Sequence, residues 1–308
     1  MEADWPLIAV RFGLYVTLSG LFGLSAFSLY GLKAGERTGA IALRPWLVGS
    51  GLLGLLLSAI ALALLAAAMA GAPAWPIDRE AIGMLLTESA TGAAWKTRMV
   101  ALVVASIVAL IAAGRVVPLG TVALAAGIAL ATLAWTGHGA MDENATGWVH
   151  LVADILHLLA AGAWVGALLG LTLLVTRAPR IDAAHLRLTH RALHGFGLVG
   201  TIMVGTIVVT GLVNGWLLVG AGNLLSLPST RYGQLLLTKL ALFGAMLGLA
   251  SLNRFRLTPA FERSIAAANH RGALGTLRRS LAVEAACAIT ILALVAWLGT
   301  LEPPASAM

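Results

Sequence analysis

Long apolar runs separated by short polar stretches dominate the chain. Eight of them, at about 7–32, 46–70, 96–114, 117–136, 148–175, 192–220, 233–253 and 280–300, match the ~20 residues that a helix needs to cross a bilayer. Backbone groups in hydrocarbon must be satisfied within their own segment, so these runs predict helices. The expected fold is all-α: a polytopic membrane protein with a bundle of eight transmembrane helices, residues 1–308 forming a single transmembrane domain. In the connection 71–95, Pro73 and Pro76 mark an irregular start, and 80–88 reads as a short surface helix.

The fifth run, WVHLVADILHLLAAGAWVGALLGLTLLV, breaks its apolar pattern in a regular way. His150, Asp154 and His157 recur at i, i+4 and i+7, and at about 100° per residue they share one narrow stripe. Gly162, Gly166 and Gly170 occupy another face, where small residues let a neighbouring helix approach closely. Both faces want partners, which places this helix inside the bundle. Titratable side chains within a span are costly and read as functional. Two imidazoles and a carboxylate at this spacing can converge on a metal ion. The preceding connection, TGHGAMDENATG, adds His138 and Met141; nitrogen and oxygen donors suit Cu(II) or Zn(II), and a thioether shifts the set toward Cu(I). The same residues also suit hydrogen bonding between helices or the lining of a water-filled cavity.

Other polar positions interrupt other runs. Arg11 and Lys239 lie where they either snorkel to headgroups or balance a buried carboxylate such as Asp154. Thr206, Thr210 and Asn214 repeat every fourth residue, a stripe for interhelical hydrogen bonds or for a pathway. Glu284 and Cys287 share a face of the last run, with His194 at a similar depth in the sixth. They form either an inner site for metal release or a capped helix start beside a buried thiol. GFGLVG at 195–200 has the glycine spacing of a dinucleotide loop, but it opens an apolar run with no strand before it and reads as a packing surface.

Composition sharpens the class. Residues are 59% hydrophobic and 11% charged, with mean hydropathy +0.93, against about 25% charged in a soluble domain. The formal net charge of +7 does not indicate a nucleic-acid partner, because the basic residues collect between spans. Fourteen Lys and Arg fall in alternate connections, at 33–44, 115, 177–191 and 254–279. The other connections hold Arg79, Lys96, Arg98 and Arg231. The positive-inside rule puts the fourteen in the cytoplasm and both termini in the periplasm, with His150 near the outer surface. The start, MEADW, lacks the basic region of a cleavable signal peptide. A single cysteine excludes an intrachain disulfide.

The run HLVADILHLLAAGAWVGALL resembles the CopD family of bacterial inner-membrane copper-homeostasis proteins. TGLVNGW (210–216), YGQLLLTKLALF (232–243), NRFRLTP (253–259) and RRSLAVEAA (278–286) follow in the family's order, and TESATGAAWKTR (87–98) fits more loosely. The resemblance covers the chain from about residue 85 onward and is weak in the first two spans. It implies a multi-pass inner-membrane protein, not an enzyme, that moves copper from periplasm toward cytoplasm with a periplasmic carrier of CopC type. His150, Asp154 and His157 match the family's polar fifth helix; Asn214, Lys239 and Glu284 match polar positions of later helices. With no ATP-binding motif, transport would run on a gradient, the carrier or trapping downstream. Two other readings remain open. One is a b-type haem electron carrier with axial ligands among His138, His150, His157 and His194. The other is a docking or sensor protein that binds a copper carrier without moving copper.

Overall fold

In the computed structural model of the protein, residues 4–71, 73, 75, 78–112, 115–137, 144–176, 183–266 and 271–307 are described. The regular elements among these residues are all helical, without a strand. The helices are α1 (Trp5–Gly31), α2 (Leu43–Ala70), α3 (Arg79–Glu88), α4 (Ala90–Ala112), α5 (Val116–Ala131), α6 (Asn144–Thr176), α7 (Ala183–Val219), α8 (Arg231–Leu252), α9 (Thr258–Ala266) and α10 (Arg271–Leu298). A 3₁₀ turn, Thr132–Thr136, extends α5, and a π turn, Asn253–Leu257, joins α8 to α9. Eight helices are long and apolar enough to cross a membrane. The bundle has a terminal end, where Trp5 packs on Trp297, and a basic end, where the arginine-rich connections lie.

Several helices start earlier than hydropathy places them. α4 begins at Ala90 rather than near 96, α7 at Ala183 rather than near 192, and α10 at Arg271 rather than near 280. Each adds polar turns that an apolar pattern does not register. Lys96 and Arg98 therefore belong to α4 and not to a connection. Arg98 is 2% exposed and donates from Nε to Thr132 Oγ1 at 3.0 Å. The short helix expected at 80–88 is α3, capped by Asp78, whose carboxylate accepts from the N–H groups of Glu80 and Ala81, each at 3.0 Å.

α1 is the central helix. It starts under the Asp4 side chain, which accepts from Leu7 N–H at 3.1 Å, and it buries Leu14, Leu18, Leu21, Leu24 and Phe27 against α2, α5, α6 and α10. Its contact with α6 is set by glycine. A methyl built on Gly23 would overlap the Gly162 carbonyl, and one on Gly166 would strike the backbone of Gly23; Gly170 faces the Phe27 ring. The small-residue face of α6 is thus used inside the monomer, letting two backbones approach closely. At its other end, α1 leaves carbonyls unsatisfied, and Arg37 covers two of them, Nε to Ser28 O at 2.8 Å and an Nη to Leu29 O at 2.9 Å.

Packing is uneven across the bundle. In the most apolar window of α1, 61% of residues are buried, against 17% in α7 and 6% in the α8–α9 stretch. Leu198, Ile202, Val209, Leu212 and Trp216 of α7 are all more than 60% exposed, which suits a face turned to lipid. Among the described residues α7 and α8 barely touch along their length. At the basic end Arg254 joins them, donating from one Nη to Gly197 O at 2.8 Å and to Thr201 Oγ1 at 2.6 Å.

Candidate functional site

The α6 stripe faces α7 and α8 in the terminal half of the bundle. His150 is 1% exposed, with Nε2 4.0 Å from Asp154 Oδ2. The other Asp154 oxygen, Oδ1, accepts from Asn214 Nδ2 of α7 at 2.6 Å. One turn deeper, His157 Nδ1 lies 2.9 Å from Thr210 Oγ1, also on α7. Two members of the α7 stripe therefore partner two members of the α6 stripe. Thr206 instead turns its hydroxyl back on Ile202 O at 3.0 Å.

These contacts fix the imidazole of His157. The Thr210 hydroxyl gives its proton to Thr206 O at 2.6 Å, so Thr210 Oγ1 accepts from His157 Nδ1–H, and the Ile207 carbonyl also faces the ring as an acceptor. The lone pair then resides on Nε2, the tautomer a metal ligand uses when its other nitrogen is held by a second partner. Asn214 Oδ1 is buried and has no hydrogen-bond partner among the described residues.

α8 supplies charge. Lys239 acts electrostatically on both Asp154 and His157, and Tyr232 also feels the Asp154 charge. Lys239 lies within electrostatic range of Asp154 without forming an ion pair with it. Arg11 reaches Thr136 O at 3.4 Å and packs against Gly299, tying α1 to the end of the α5 extension near the terminal end. Gly137 lies beside Asp154, with its Cβ position 3.9 Å from Oδ2. His138 and Met141, which follow it, lie outside the described residues.

The residues read as an inner group are not together. Glu284 is 2% exposed and accepts from Asn253 Nδ2 of the π turn. Cys287 packs against the apolar core. His194 is exposed and stacks near His190, ring centroids 6.3 Å apart, while His190 Nε2 lies 3.7 Å from Glu262 of α9. The pairing of Glu284 with Asn253 was not anticipated. NRFRLTP carries part of the family resemblance and the basic charge of its connection, but its asparagine has no periodic signal.

Among the described residues, no three His, Cys, Asp or Glu side chains are gathered closely enough to enclose a metal ion. The α6–α7–α8 seam instead offers separate donors at successive depths: the His150 imidazole, the Asp154 carboxylate and His157 Nε2. A haem clamp needs histidines facing one another from two helices, and the described histidines do not make one. Those of α6 lie in the terminal half, whereas His185, His190 and His194 of α7 lie near the basic end.

Eight apolar helices, with a seam of polar side chains between the fifth, sixth and seventh spans, define a multi-pass membrane protein. Residues 1–148 match the family described as copper resistance protein D-like, N-terminal domain, and residues 190–298 match copper resistance protein D. The chain is 45% identical over 302 residues, 96% of each protein, to copper resistance protein D of Pseudomonas syringae pv. tomato. It is 34% identical over 157 residues to copper transport protein CutJ of Bacillus subtilis, covering 51% of this chain and 26% of that one. It is 29% identical over 177 residues to inner membrane protein YebZ of Escherichia coli, covering 56% and 55%. No solved structure matches the chain. The protein belongs to the copper resistance protein D family, and the likeness extends over the first two spans as well as the later ones.

Proposed function

We propose that this protein is an inner-membrane copper permease that takes copper at its periplasmic face and passes it toward the cytoplasm. Both termini lie in the periplasm on this reading, because the arginine-rich end is retained inside. A periplasmic carrier of CopC type delivers the ion. His138 and Met141 meet it first, and His150, Asp154 and His157 take it into the seam. The observation that carries the reading is that seam, in a chain of a copper resistance family: titratable donors of α6 at successive depths, Asp154 and His157 held from α7, with Lys239 within electrostatic range of both. Separate donors rather than a closed cage suit a cargo, which must be held well enough to enter and weakly enough to leave. Binding a cation beside Asp154 would relieve that carboxylate of its dependence on Lys239. The protein's part is ligation and passage rather than catalysis.

The test is copper accumulation in cells that depend on this protein, with His150→Ala and His157→Ala combined. Accumulation falls to the level of cells lacking the protein, while the amount of folded variant in the membrane stays the same. Undiminished accumulation would remove the seam from the copper path. Carrier binding by the wild type without copper flux in proteoliposomes would make the protein a docking platform instead.

A further inference from the structure

A cavity of about 280 Å³ opens in the basic half of the bundle, between α6, α7, α8 and α10. Trp164, Leu168 and Leu171 of α6 form one wall, and Glu284 and Asn253 are among its few polar lining residues. Glu284 is 2% exposed and Asn253 7% exposed. The carboxylate accepts from Asn253 Nδ2, while Asn253 Oδ1 and the Trp164 indole N–H are buried without a hydrogen-bond partner among the described residues. Asn253 opens the π turn, a helical irregularity that recurs at functional sites.

Among the described residues, no salt bridge reaches Glu284. Facing it from α6 are apolar side chains. α1 carries a single charged residue, Arg11, committed at the opposite end. From the α8 side comes Arg254, also a cavity residue, whose guanidinium is bound to Gly197 O and Thr201 Oγ1. On α10 itself, Arg278 donates to Val175 O at 2.6 Å and Arg279 is exposed. On α7, His190 faces Glu262 and His194 is exposed. A carboxylate left bare in such walls is costly; a proton or a metal ion at the carboxyl removes that cost. The cavity has room for several waters, a route for a departing proton. Asn253 serves either state, since its amide donates to a carboxylate and accepts from a carboxylic acid.

We propose that Glu284 and Asn253 form a second, inner cation station, at which a copper ion passing through the bundle binds Glu284 Oε and Asn253 Oδ1 in exchange for one proton. The inference rests on the copper-permease reading and adds the site from which the ion is released. The exchange balances: the O–H bond of the carboxylic acid breaks, the proton leaves to water in the cavity, and the carboxylate takes the cation. Two oxygen ligands hold copper more weakly than imidazoles do, as an exit site requires.

Stepwise addition of Cu(II) to purified detergent-solubilised protein in weak buffer tests this, with protons released read by a pH indicator and protein-free micelles as the blank. The wild type and His150→Ala/His157→Ala release one proton with their inner copper; Glu284→Gln, which keeps the size and the hydrogen bond, binds one copper fewer and releases none there. Asn253→Ala keeps the proton but binds that copper at least tenfold more weakly, and it also serves if Glu284→Gln does not fold. Unchanged proton release in Glu284→Gln, or full affinity in Asn253→Ala, overturns the station and leaves the outer seam standing. A wild type that binds no copper at either place overturns both.

Discussion

At the scale of single residues, the α6 seam turns on which nitrogen of His157 carries the proton. Thr210 decides it, because its own hydroxyl hydrogen goes to Thr206 O and leaves the oxygen to accept from Nδ1. Thr210→Val keeps the shape and removes the acceptor, which frees the ring to rotate or change tautomer. Loss of such an outer partner lowers metal affinity by about 10–100-fold. Copper titration of purified Thr210→Val should show this loss, with Thr206→Val unaffected because its side chain stays on its own helix; equal affinities in the two would refute the tautomer argument. The polar stripe of α6 was legible in the sequence, since two histidines and an aspartate on one face of an apolar run must meet partners inside the bundle. Their partners were not. Which helix lies beside α6 is a property of packing, so Asn214 was recognisable as a polar residue in a span but not as the residue that meets Asp154, whereas Lys239 had Asp154 among its readings without a geometry to choose it. Arg98 shows the opposite failure. Counted as a charge marking topology, it is buried within the bundle on Thr132, because helix α4 starts before its apolar pattern does.

At the scale of elements, the α1–α6 contact holds the seam in place, since α6 packs on α1 with one face and presents its donors to α7 and α8 with another. Gly23→Ala would drive a methyl into the Gly162 carbonyl, and backbone on both sides leaves no flexible side chain to yield. Overpacking of this kind typically costs about 1–3 kcal/mol. A thermal unfolding scan in detergent should show Gly23→Ala markedly destabilised and Gly244→Ala, where the added methyl meets open space, close to wild type. If Gly23→Ala is as stable as wild type, the two helices do not approach as closely as described. The glycines of α6 announced a close contact by their spacing, yet the sequence left open whether the partner was another helix of this chain or a second copy. Gly23, with no comparable spacing of its own, decides that it is α1. The π turn at Asn253–Leu257 is legible in no periodic pattern, because it arises where α8 changes register to enter α9.

At the scale of the whole molecule, the bundle is asymmetric. α1, α2, α4, α5 and α6 build the dense core and α7 packs on α6. α7 and α8 barely touch along their length and are joined by Arg254 at the basic end and by the cluster of Val219 and Tyr232 at the terminal end. The seam lies toward the terminal end and the Glu284 cavity toward the basic end. The separation matters only if the two ends face different compartments in the order proposed, and the excess of arginine at the basic end argues for that order. The orientation is testable without any assumption about copper. Gly222 lies exposed in the α7–α8 connection at the terminal end, and Gly35 lies exposed between α1 and α2 at the basic end, with open space at both positions for a larger side chain. In a Cys287→Ser background, Gly222→Cys should react with a membrane-impermeant maleimide when only the outer membrane is permeabilised. Gly35→Cys should react only after the inner membrane is opened as well. The reverse pattern would put the histidine seam at the cytoplasmic face and the Glu284 cavity at the periplasmic one. The same chain of sites would then run outward, and the protein would be an exporter rather than a route of entry.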